Sequence, residues 1–155
     1  MNFLKTLCLL AAVCLFAGCG AAEEPVTQIA NPWQSFDSLP QAEEAAGFSF
    51  GLPPETEDGC TAQQFRVMDG RLLEVVYQQG DRRLTVRKAP GSEDISGDYN
   101  RYETVTLAEY ANGSATIRED KSILVFTEEY SWSVYCEQGF AENQAQALIE
   151  AILKV

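Results

Sequence analysis

Phe65-Arg66-Val67-Met68-Asp69-Gly70-Arg71-Leu72-Leu73-Glu74-Val75-Val76-Tyr77-Gln78-Gln79-Gly80-Asp81-Arg82-Arg83-Leu84-Thr85-Val86 decides the fold class. Apolar residues recur every second position, the period of a strand whose side chains alternate between two faces. Phe65 and Val67 form one short stripe, Leu73, Val75 and Tyr77 the next, and Leu84 and Val86 a third, with Arg83, Thr85 and Arg87 turned outward. Asp69-Gly70 between the first two runs is a hairpin signal, and Gln79-Gly80-Asp81 is the next turn. Three antiparallel strands in series are therefore expected.

Outward from this stretch the same period returns. Ala89–Asn100 reads as a long connection, and strands are expected over Tyr102–Tyr110, Ser114–Arg118, Ser122–Glu128 and Tyr130–Glu137. Asn112-Gly113 predicts a type I′ turn. In the last strand Trp132, Val134 and Cys136 share one face, and Ser131, Ser133 and Tyr135 the other. The flanks change period. Ser38–Ala46 predicts a helix capped by Ser38, with Leu39, Ala42, Ala45 and Ala46 on one face, Glu43 and Glu44 in solvent, and Gly47 as its stop. Phe48, Phe50 and Leu52 alternate as a short strand ended by Pro53-Pro54. Ala141–Leu153 predicts a closing helix with the stripe Ala141, Ala145, Leu148 and Ile152. The expected fold is α+β: hairpin-linked strands in an antiparallel sheet, packed by a short N-terminal and a C-terminal helix. A β-sandwich with appended helices is the alternative.

The first 18 residues have a different character. Lys5 precedes the uncharged apolar run Leu7–Ala17, which ends in Ala17-Gly18 before Cys19. That is a signal-peptide layout. Its ~11 apolar residues fall short of the ~20 a spanning helix needs. Leu15-Phe16-Ala17-Gly18-Cys19 resembles a bacterial lipobox, although Phe16 stands where that pattern usually has Leu. The resemblance implies diacylglycerol on the Cys19 thiol and cleavage before it. Two acyl chains anchor stably where one does so only reversibly. The expected organisation is a lipoprotein signal peptide over 1–18, a flexible tether over 19–31 and a single domain over 32–155. The domain is expected at the extracytoplasmic side of the cell membrane.

Composition narrows the function classes. The 155-residue chain has 23 acidic and 11 basic residues, net −12. One of those bases, Lys5, lies in the leader, so the mature chain carries 23 acids against 10 bases, net −13. Such a surface does not favour nucleic acid, whose phosphates need Lys and Arg. The chain has no histidine. That removes Ser-His-Asp and Cys-His catalysis and His-ligated zinc.

The remaining candidates are few. Cys60 and Cys136 are the two cysteines left beyond Cys19, in a compartment that permits a disulfide. Closing that loop would stabilise by ~4.5 kcal/mol in the chain-entropy picture, and two buried free thiols are the other reading. Asp94, Ser96, Asp98 and Asn100 are spaced like the first ligands of an EF-hand loop. The pattern fails where Tyr99 replaces the required Gly and Val105 the bidentate Glu. Arg87, Lys88 and Arg101 flank this loop and are expected to pair with it. Glu128-Glu129 and Glu119-Asp120 are adjacent carboxylates of the kind glycosidases use, but they sit at expected turns. Trp33, Tyr130, Trp132 and Tyr135 are candidates for an aromatic binding face.

Several stretches together resemble a family of small lipoproteins of anaerobic Gram-positive bacteria with no assigned activity. They are Asn31-Pro32-Trp33, Leu39-Pro40-Gln41-Ala42-Glu43-Glu44-Ala45-Ala46 leading into Gly47-Phe48, and Leu73-Glu74-Val75-Val76-Tyr77. The most specific is Arg87-Lys88-Ala89-Pro90-Gly91-Ser92-Glu93-Asp94-Ile95-Ser96-Gly97-Asp98-Tyr99-Asn100. The resemblance implies a lipid anchor and one compact domain, and brings no catalytic residues. The expectation is a non-enzymatic binding or envelope-interaction module without cofactor or metal. It would meet the membrane through its lipid and an unknown envelope protein or glycan. A carboxylate-dependent hydrolase and a calcium-stabilised adhesion module are the alternatives.

Overall fold

A computed structural model describes residues 31–155. The signal segment, Cys19 and all but the last residue of the expected tether lie outside the described residues. Strand β1 (Trp33–Phe36) is followed by helix α1 (Leu39–Ala46) and strands β2 (Thr61–Met68), β3 (Leu72–Gln79) and β4 (Arg82–Pro90). Then come β5 (Val105–Tyr110), β6 (Gly113–Arg118), β7 (Ser122–Phe126), β8 (Tyr130–Cys136) and helix α2 (Glu142–Leu153). All eight strands make one antiparallel sheet in the order β1-β2-β3-β4-β8-β7-β6-β5. The first four strands run one after another from one edge to the centre. The chain then crosses to the far edge and meanders back until β8 closes against β4.

The α+β architecture is as the alternation predicts. Both helices lie on one face, over a continuous core that includes Leu73, Val75, Tyr77, Leu84, Val86, Trp132 and Val134 from the sheet. Ala42 and Ala46 of α1 and Ala145, Ile149 and Ile152 of α2 complete it. Phe50 packs on Trp132 with ring centroids 5.4 Å apart and planes tilted by 53°. Tilted pairs of this kind contribute ~0.5–1.5 kcal/mol beyond their burial.

Asp69 and Gly70 both adopt positive φ, and Arg71 N–H donates to Met68 O, the type I′ geometry expected of Asp-Gly. Asn112-Gly113 behaves differently. Tyr110 pairs with Gly113, so the two turn residues are Ala111 and Asn112, neither with positive φ. Gly113 instead opens β6, where a Cβ would collide with the Phe126 carbonyl. Type I′ values appear at Glu119 and Asp120, with φ of 47° and 51°.

Other local expectations are corrected. Phe48–Leu52 is not a strand. Gly51 has φ 87°, and the backbone there is satisfied by side chains: Phe50 N–H donates to Glu43 Oε1 at 2.6 Å, and Lys88 Nζ donates to Ser49 O at 2.7 Å. The alternation of Phe48, Phe50 and Leu52 reflects a segment laid on the core. Glu43 is accordingly half-buried, and Ala45 is exposed. Ser38 holds the extended N-cap conformation but makes no side-chain cap bond. Pro40 sits at the second helical position, where an N–H for that hydroxyl is missing. Gly47 ends α1 in the left-handed region as expected, its N–H bonded to Glu43 O.

Candidate functional site

Three places in the domain carry chemistry. The first is a groove on the helix face. Its floor is Tyr77 of β3 with Leu84 and Val86 of β4, its near wall Leu52 and Pro53, and its far wall Ala147, Leu148 and Ala151 of α2. The cavity volume is about 310 Å³, at the small end of the ~300–1,000 Å³ usual for small-molecule sites. The lining is mostly apolar, because α2 presents its small residues here and keeps Ile149 and Ile152 for the core.

The groove's rim is polar. Glu55 and Glu57 are exposed along one side. Asp58 is paired with Arg82, whose Nη2 also donates to Gln144 Oε1 at 2.9 Å. Gln144 Oε1 accepts the Ala141 N–H at 2.9 Å as well, and its Nε2 donates to Asp58 Oδ2 at 3.3 Å, so one side chain joins the start of α2 to the loop opposite. Tyr77 donates its hydroxyl to Pro53 O at 2.9 Å, fixing wall to floor. Burial pushes its phenol well above the ordinary tyrosine value.

The second place is Lys88. Continuing the stripe of Leu84 and Val86 by two residues puts it on the core face, where it is 4% exposed. Its Nζ lies 4.3 Å from the Tyr130 ring centroid, 4.6 Å from Trp132 and 5.8 Å from Phe48. It donates to Ser49 O and Phe50 O. Burial lowers its pKa below the ordinary lysine value, with Glu43 and Glu129 acting in the opposite direction. With two carbonyls and three ring faces around it, the ammonium clamps the 48–50 segment to β4. A shallower depression beside it is lined by Glu128, Glu129 and Lys154 and is more polar than the groove.

The third place lies on the opposite face. Glu74 is 0% exposed. Arg66 binds its Oε1 through Nε at 2.9 Å and also through Nη2, and Arg87 Nε donates to Oε2 at 2.9 Å. Trp33 covers both guanidinium groups, at 4.9 Å and 5.5 Å from its ring centroid. Residues 91–104 cross this face as a strap. Arg87 Nη1 donates to Ser96 O, Ser131 Oγ to Gly91 O at 2.8 Å, and Arg118 Nη2 to Asp94 Oδ2 at 2.8 Å.

Of the three bases expected to pair with the strap, only Arg87 meets it, and it meets carbonyls. Lys88 points to the other side of the sheet. Among the described residues Arg101 forms no ion pair, and Arg118 supplies the one that holds Asp94. Burial works to raise the Asp94 pKa, but the bonds from Ser96 and Arg118 outweigh it and hold the carboxyl below the ordinary value. Asp98 accepts from Asn100 N–H at 2.9 Å and from the Tyr102 hydroxyl. The two carboxylates thus serve different partners, and among the described residues no three acidic or cysteine side chains converge as metal ligands.

The remaining candidates are dispersed. Trp132 and Tyr130 surround Lys88, whereas Trp33 and Tyr135 belong to the strap face, so the four aromatics form no common surface. Glu128-Glu129 and Glu119-Asp120 occupy separate turns. Cys60 and Cys136 are fully buried free thiols. Burial raises the Cys60 pKa, and Asp58 adds to the effect. No described helix is long and apolar enough to cross a membrane. No family model matches this chain, and no curated protein or solved structure matches it.

Proposed function

We propose that this chain is an extracytoplasmic lipoprotein, anchored by diacylglycerol on Cys19, whose domain is a non-enzymatic binding module. The observation that carries the anchor is the leader itself: one basic residue, a short apolar run and Ala17-Gly18 before Cys19. The groove between residues 52–58 and α2 is the binding site in this reading. Its apolar floor suits a short alkyl or aromatic group, and its exposed Glu55 and Glu57 suit a cationic head beside it. Histidine is absent and the carboxylates are scattered, which supports recognition over catalysis.

Intact-mass analysis of the protein from its own cells tests the anchor. The expected mass is that of a chain beginning at acylated Cys19, and an unmodified chain retaining its first 18 residues would sink the reading. The groove is tested by titrating hexylamine against hexanoate by calorimetry. The amine is expected to bind and the acid not. Ala147→Phe, which fills the groove from α2, should abolish the heat.

A further inference from the structure

The sheet has two edges, and they are built differently. β1 is four residues long and is entered from Pro32, which keeps one edge short. β5 is six residues, Val105-Thr106-Leu107-Ala108-Glu109-Tyr110, with no Pro, no Lys, an unbroken register on β6 and one charged side chain, Glu109. Natural sheets usually blunt a free edge with one of those devices. Among the described residues nothing pairs with the outer side of β5. Two exposed large apolar side chains stand on the strand itself: Leu107 is 75% exposed and Val105 51%.

We propose that β5 is a self-association edge, pairing antiparallel with β5 of a second copy about a twofold axis at Leu107. β5 can serve as its own partner because it carries a single charge, Glu109, which this register sets against an apolar residue. With Leu107 opposite Leu107 of the partner copy, Glu109 falls opposite Val105 and Glu103 opposite Ala111, so no two carboxylates face each other. A twofold axis one residue earlier, at Thr106, sets Glu103 directly against Glu109, which opposed like charges disfavour. In the Leu107 register the two leucines meet on the face away from the helices. There each continues a row through Thr116 to the buried Leu124, and two eight-stranded sheets become one. The association is isologous and closes on itself. It does not depend on the lipid anchor or on the groove.

The test is cysteine crosslinking of the full chain in mild detergent with copper phenanthroline as oxidant, the parent chain giving the background. Directly opposed positions have Cβ atoms within reach of a disulfide, whereas the two residues at position 109 would lie about 13 Å apart along the strand. Leu107→Cys is therefore expected to give roughly tenfold more covalent dimer than Glu109→Cys. Both sites are exposed, and circular dichroism checks that each variant is folded. Leu107→Lys, the edge-protecting substitution, should lower the dimer fraction of the unmodified chain in sedimentation equilibrium. Because both copies are strongly acidic, that fraction should rise from about 20 mM to about 0.5 M NaCl as repulsion is screened. Equal crosslinking at 107 and 109, or a chain that sediments as a monomer at every salt concentration, overturns the proposal. An association that weakens with salt also overturns it, since two acidic copies paired in this register must gain from screening.

Discussion

Replacing Glu74 by Gln is expected to destabilise the domain by about 2–3 kcal/mol, though the change removes one charge and alters almost no volume. Glu74 is fully buried, and its two oxygens are divided between Arg66 and Arg87. Removing one partner of a buried ion pair commonly costs ~3–5 kcal/mol, because the surviving charge is left without compensation. Two features reduce that figure here. The Arg66 and Arg87 side chains keep 30% and 21% of their exposure, so water reaches both. A glutamine also retains one acceptor oxygen for one of them, while its amide hydrogens oppose the other. A domain of about 125 residues unfolds with ~0.26 kcal/mol/K of entropy, so the expected loss corresponds to about 10 °C in melting temperature. Guanidinium unfolding at neutral pH, read as a shift in midpoint at constant m, is the assay. Adding Arg66→Met removes the stranded cation and should recover about half of the loss, a coupling that a double-mutant cycle reads directly. A Glu74→Gln midpoint indistinguishable from the parent, or a double variant that loses the sum of the two singles, would refute the reasoning.

Two further outcomes follow from titrating groups. Burial, with the hydrogen bond to Asp98, pushes the Tyr102 phenol up to about 12, from 10 in the unfolded chain. Between those values the unfolded chain has lost a proton that the folded one keeps, so stability falls as pH rises through that window. Tyr77 adds in the same direction, whereas Lys88 acts in the opposite sense and below about pH 10.5. Tyr102→Phe should therefore flatten the decline in unfolding free energy between pH 10 and 12. The thiols give the other: peptide mapping after iodoacetamide is expected to show Cys60 and Cys136 unlabelled in the folded protein and both labelled after denaturation. Resistance to labelling in denaturant without reductant would mean that they are bridged.

The legible and illegible parts of this chain differ by a physical rule. Alternation reports which side of a strand is apolar, so the core face was readable: Leu73, Val75, Tyr77, Leu84, Val86, Trp132 and Val134 all lie where the period puts them. The rule breaks at Lys88, where parity places a charge inside. The signal was present, two residues past Val86, but charge type overrides parity in a sequence reading. Only the structure supplies the Tyr130, Trp132 and Phe48 rings that make the position tolerable. Helix termini were readable to within a residue. Turn chemistry was readable at Asp69-Gly70 and misleading at Asn112-Gly113, where the glycine answers to the Phe126 carbonyl. β1 was not expected at all, since four residues are too few to establish a period.

The strap face was illegible for a different reason. A polar stripe facing away from the core is assigned to solvent unless something covers it. Here the cover is residues 91–104, the connection that the sheet order itself requires: β4 and β8 are neighbours at the centre, so the chain leaving β4 must reach the far edge before β5 begins. It does so across the outer face, and in crossing it turns Glu74, Ser131 and Ser133 into buried residues. Their partners are then dictated, since a buried carboxylate needs charge and a buried hydroxyl needs an acceptor. Arg66 and Arg87 supply the charge for Glu74, and Gly91 O the acceptor for Ser131. The crossing stops short at β5, whose first residue is Val105. That is where the strap no longer shields the sheet and where Leu107 stands open. The connection that buries one half of the outer face thus leaves its last strand exposed, and with it the edge that a second copy is expected to fill.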